Sequence, residues 1–211
     1  MDNELGRAKE LYERAIFNGE YDVLPQADRE LDAVEAALLI GRGRVMHGHY
    51  LETQVEIPEE LPAFERAADL YRALGDEGGE AEAQFWIGCF HQVVRDDNAS
   101  AVPYLTAASE LARKTGDQLI LSYALRHLGV AAHMAGDLDD ARALLEESTA
   151  LRRTLGFTAG VAANLVGLIY VVAAQGRPDD AQALADEATE LAASSGAVMI
   201  STQIEAARSR I

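Results

Sequence analysis

Apolar residues recur along this chain at the period of an α-helix. In QLILSYALRHLGVAAHMAG, residues 118–136, Leu121, Ala124, Leu125, Leu128 and Ala132 fall on one face. Gly136 interrupts the pattern, and the acids of DLDD open the next segment, where negative charge suits the positive end of a helix dipole. ARALLEESTALRRTLG then turns Ala141, Leu144, Leu145, Ser148 and Leu151 to one side. Arg152 and Arg153 lie in its last turn, and Gly156 is placed to cap it. GRPDDAQALADEATELAASSG, residues 176–196, follows the same scheme with Ala181, Leu184, Ala188 and Leu191, and ASAVPYLTAASELARKTG does so over residues 99–116. No segment alternates convincingly with period two, and the prolines sit near helix starts or in loops. The pattern predicts helices and no strands.

The helices come in pairs with a fixed period. LYRALGD, LARKTGD, LRRTLGF and LAASSGA place glycines at 75, 116, 156 and 196, which are 41, 40 and 40 residues apart. Each period holds two helices, predicting an all-α superhelix, a solenoid of antiparallel helix pairs. The pairs fall at 31–76, 77–117, 118–157 and 158–197. Residues 3–18 predict a lone helix within an N-terminal capping segment, 1–30. Residues 198–211 predict a closing helix with Met199, Ile200 and Ile204 inward. Stacked repeats need such ends to cover apolar faces. The initial Met and the terminal helix are those expected of a complete domain.

Small residues at fixed places sharpen the reading. Gly129 and Ala141 belong to facing helices, where large side chains would push the two apart. LRHLG supplies Leu125, Leu128 and Gly129, followed by Ala141, Leu145 and Ser148; AQFWIG supplies Ile87 and Gly88. These residues resemble the tetratricopeptide repeat in the long, roughly forty-residue form found in bacterial regulators and signalling ATPases. The resemblance covers about residues 30–211. It departs where Ile169 stands at the position of Gly129 and where Ala132 replaces the usual aromatic.

Charge narrows the partners. The chain carries 18 Lys and Arg against 35 Asp and Glu, a formal net charge of −17. Such a chain repels nucleic-acid phosphates and anionic membrane surfaces. The acids are spread rather than massed, as on solvated outer faces. Lys9 and Lys114 are the sole lysines, which with abundant Ala suggests a GC-rich bacterial source. A basic-then-apolar leader is missing from the first residues, and the longest apolar run, 161–174, is short of the roughly 20 residues a span needs. A cytoplasmic protein is expected. Cys89 stands alone, so no intrachain disulfide forms.

The stretch MHGHYLE, residues 46–52, raises the question of chemistry. Overlaying Gly41 and Gly48 on Gly129 and Gly136, both seven apart, assigns HGH to the turn between paired helices. His47 and His49 bracket a glycine rather than sharing a helix face, so a metal site there is the weaker reading, and no metal or cofactor is expected. Between Gly48 and Gly75 the first pair holds about seven residues more than the third, an insertion within ETQVEIPEELP that is expected in a surface loop. Cys89 and His91 point to different faces, as do His127 and His133.

The resemblance implies that the first helix of each pair lines a concave groove. In that register the groove carries Leu38, Arg42, Val45 and Met46, then Glu82, Phe85, Cys89 and Gln92. It continues with Tyr123, Arg126, Val130, His133 and Met134, and with Val166, Tyr170 and Ala173. The lysine and asparagine clamp of chaperone-tail-binding relatives has no counterpart at these positions. The expected function is a non-catalytic module that binds a peptide or protein segment, with aromatic and methionine anchors and with Arg42 and Arg126 as polar ones. A plainer reading pairs those arginines with neighbouring acids such as Glu82. Three further functions fit the same residues: a small-molecule or signalling-peptide sensor, an enzyme using His47, His49, His91 or His133, and self-association through exposed end helices.

Overall fold

The computed structural model describes residues 2–211. Among them every regular element is helical: α1 (Asp2–Asn18), α2 (Leu24–Thr53), α3 (Glu60–Leu74), α4 (Glu77–Val93), α5 (Asn98–Thr115), α6 (Gln118–Ala135), α7 (Leu138–Thr154), α8 (Thr158–Ala174), α9 (Pro178–Ser195) and α10 (Val198–Arg208), with a 3-10 turn at Tyr21–Val23. The chain divides into two compact units, residues 1–111 and 112–211, with the border inside α5. Each unit is an all-α stack of paired helices.

In the first unit α2 packs against α1 and α3, α3 against α4, and α2 touches α4. Ala36, Ile40, Phe64, Ala67, Leu70, Ala83 and Ile87 form its main core. In the second unit α6 to α9 pack in succession, and α8 touches both α6 and α10. Its core is continuous from Ala141 and Leu145 through α8 to Ala185, Ala192, Ile204 and Ala207.

Local chemistry sets the helix ends. Gly75, Gly116, Gly136, Gly156, Gly176 and Gly196 all have positive φ, a conformation in which a side chain is strained. The side chain of Asp76 accepts from the Gly79 N–H, and that of Asp117 from the Leu119 and Ile120 N–H groups. The repeat glycines are therefore helix caps, which explains why their register is kept.

Several expectations need correction. MHGHYLE is not a turn: residues 46–52 lie inside α2, which begins at Leu24 and runs to Thr53 before turning at Gln54, where φ is 57°. The glycine equivalent to Gly129 is Gly43, not Gly41. A Cβ on Gly43 would lie 2.3 Å from the Phe64 ring, while Cβ atoms on Gly41 and Gly48 would meet nothing within 4 Å. The extra length of the first pair is taken up by the extension of α2 and the connection at 54–59. Pro103 lies inside α5. In α10, Ile204 is buried and Ile200 half-buried, but Met199 is 71% exposed and points outward.

Candidate functional site

Gly41 opens space on the outer face of α2. Around it Ala37, Leu38, Arg42, Val45 and Met46 line a shallow depression, gathering all four groove residues expected from this helix. Leu38 is 47% and Val45 61% exposed, so the floor is apolar and open to water. The neighbouring Arg44 pairs with Glu82 and lies 5.6 Å from the Trp86 ring. The acid expected to neutralise Arg42 is thus taken by Arg44, and Arg42 makes no ion pair among the described residues.

The other expected residues divide by exposure. Phe85, Cys89 and Gln92 of α4 are buried, as is Val166 of α8, so none of them presents surface. On α6, Met134 is 67% exposed, while Tyr123, Arg126, Val130 and His133 are half-buried, as is Tyr170 on α8. Elsewhere in the second unit a depression is lined by Arg142, Glu146, Arg177 and Asp180 among others. Its cations already face acids, Arg142 with Glu146 at 2.7 Å and Arg177 with Asp180 at 2.5 Å, so it has little charge to offer a ligand.

Two buried polar clusters were missed by sequence reasoning. The first answers the question posed by the paired histidines. His47 points into the first unit, where Nδ1 lies 2.8 Å from Glu60 Oε1 and Nε2 lies 3.8 Å from Cys89 Sγ. His49 points out to solvent, 4.0 Å from Glu52. The two histidines therefore do not converge, and no group of three His, Cys, Asp or Glu among the described residues is placed to hold a metal ion. Glu60 is fully buried, and burial raises its pKa above the ordinary carboxylate value against the opposing hydrogen bond from His47. An acid at a core position of α3 was the readable signal.

The second cluster surrounds Arg152, which is 1% exposed. Its Nη1 donates to the Gly160 carbonyl and to Asn164 Oδ1, each at 2.8 Å, and its Nε to Ser122 Oγ at 3.4 Å. Its guanidinium carbon lies 4.9 Å from the Tyr123 ring centroid and 5.5 Å from that of Phe157. Asn164 in turn donates to Ser148 Oγ, which donates to the Ser122 carbonyl at 2.5 Å. Burial, and then the charge of Arg126, bring the Arg152 pKa down to about 10. Neutral oxygens and two π faces hold this cation.

This arrangement of paired helices defines a repeat scaffold that carries exposed apolar side chains on α2 and α6. Comparison with known proteins agrees. Residues 90–154 match the family model described as tetratricopeptide repeat, so the resemblance is shown for that segment. No curated protein sequence matches the chain. Among solved structures, that of BtubC (BKLC) from P. vanneervenii is similar in fold. It is 18% identical, the match covers 92% of each chain, and the TM-score is 0.52. No described helix is long and apolar enough to cross a membrane.

Proposed function

We propose that the chain is a non-catalytic interaction module that holds a peptide or protein segment against the outer face of α2. The observation that carries this reading is the depression around Gly41, where exposed Leu38 and Val45 lie beside Arg42. Covering that floor removes apolar surface from water at roughly 25 cal/mol per Å². A carboxylate on the incoming segment would give Arg42 a charge-assisted hydrogen bond in a chain otherwise rich in acid. The partner class is thus a segment with an apolar anchor next to an acidic side chain. The tetratricopeptide match supports an interaction role in general. On α6, exposed Met134 beside half-buried His133 offers a second apolar contact to the same kind of segment.

The test is a peptide-display selection on the immobilised chain, followed by anisotropy titration of the enriched peptides. The reading expects apolar–acidic sequences whose affinity falls about tenfold or more in Leu38→Ser and Val45→Ser. Enriched peptides that bind both variants as tightly as the wild type would refute it.

A further inference from the structure

Three helices of the first unit each bring one side chain into a single line: Glu60 from α3, His47 from α2 and Cys89 from α4. Glu60 Oε1 and Cys89 Sγ sit against opposite nitrogens of the imidazole, at 2.8 Å and 3.8 Å. As a carboxylate, Glu60 accepts and cannot donate, so it fixes the His47 proton on Nδ1 and leaves the Nε2 lone pair facing the thiol. This is the order of an activated nucleophile: thiol, base, and a third group that orients the base. Glu60 Oε2 is buried with no hydrogen-bond partner, so the carboxylate's hydrogen bonding here is directed at the imidazole. The Trp86 ring meets His47 edge-on at 5.6 Å and closes another side.

We propose that Cys89 is a peroxide-reactive thiol, activated by His47 and Glu60, that forms a sulfenic acid in the folded chain. Burial selects the co-substrate. Cys89 is 4% exposed, which shuts out acyl carriers, peptides and charged reagents and favours a small neutral oxidant, a hydroperoxide. His47 Nε2 takes the thiol proton, and the imidazolium is held against the Glu60 carboxylate. The thiolate sulfur attacks one peroxide oxygen, the O–O bond breaks, and the leaving oxygen takes the proton back from the His47 imidazolium. Sulfur is oxidised, the peroxide is reduced to water or an alcohol, and Cys89 becomes Cys–SOH. The chain has one cysteine, so no internal disulfide can resolve this product, and reversal falls to an external thiol. The inference is independent of the α2 binding face.

The experiment is hydrogen peroxide treatment of the purified chain with dimedone present, followed by intact mass. The expected result is one dimedone adduct, formed faster in the folded chain than in urea-unfolded wild type, where the relay is dispersed. His47→Gln, checked for native helicity by circular dichroism, should slow labelling about tenfold or more, and Glu60→Gln less. If His47→Gln fails to fold, the folded-against-unfolded comparison decides alone. A folded chain that labels no faster than the unfolded one overturns the proposal, as does a folded His47→Gln variant with the wild-type rate.

Discussion

A Cβ on Gly129 would lie 2.9 Å from Leu145 Cγ and 3.3 Å from the Ala141 carbonyl oxygen, so α6 and α7 meet where one residue has no side chain and its neighbour fills the gap. Gly88 has the same relation to Leu105, at 2.7 Å. Forty residues on from Gly129 and Leu145, the chain reverses the sizes. Ile169 and Ala185 occupy those positions, and both are buried in one core cluster. The quantity held steady is the combined volume at the crossing of each pair, which is why a missing glycine does not break the repeat. Gly129→Val should therefore cost about 1–3 kcal/mol in chemical denaturation. Adding Leu145→Ala to that variant should recover part of the loss, giving a favourable coupling that strictly additive behaviour would contradict.

Arg152 predicts a cost unrelated to surface charge. Arg152→Met leaves Asn164 Oδ1 and the Gly160 carbonyl buried without this donor. The loss should be about 2–4 kcal/mol, since each stranded polar group costs about 1–3 kcal/mol. Arg152→Lys should recover little of it, because an ammonium has no planar face to lie against Tyr123 and Phe157 and no second nitrogen to take the place of Nε beside Ser122. Urea melts of the two variants check this.

The exposed arginine ladder gives the contrast. Arg113 pairs with Glu147 at 2.9 Å and Arg153 with Glu187 at 2.6 Å, the same bridge one period apart, and all four side chains are roughly half exposed. Arg153→Ala should cost less than about 1 kcal/mol, and less still at high salt.

Glu60 gives a pH signature. Its folded pKa is raised by burial, so the folded chain holds this proton over a range where the unfolded chain has released it. Its contribution is most favourable below the ordinary carboxylate range and declines as pH rises through the raised folded value. Wild type minus Glu60→Gln stability should therefore fall as pH is raised from acid toward neutrality. A flat or rising difference in denaturation midpoints would show that burial does not govern this carboxylate. Subtracting the variant removes the repulsion common to the many other acids.

What the sequence discloses follows from where the physics is local. Helix caps are local, so Gly136, Gly156 and Gly196 could be read directly, and the period with them. The choice between Gly41 and Gly43 was not local, because the contact that distinguishes them belongs to Phe64, in another helix. The wrong choice displaced the register of α2 and made a turn of residues that continue a helix. It also hid His47, whose partners Glu60 and Cys89 arrive from helices beyond the insertion. Arg152 read only as a cation in the last turn of its helix, because its neutral partners are scattered from Ser122 to Asn164. Of the residues expected in the groove, the four on α2 line one exposed depression. Phe85, Cys89 and Gln92 share their helical face but are covered, which periodicity alone does not reveal.

Binding at the α2 face is measured most directly by an NMR footprint on isotopically labelled chain, titrated with an apolar–acidic peptide from the selection. The largest shifts should fall on the methyl groups of Ala37, Leu38, Val45 and Met46 and on the Arg42 side chain. Shifts concentrated on α7 and α9, with these five residues unmoved, would contradict the proposed role of α2.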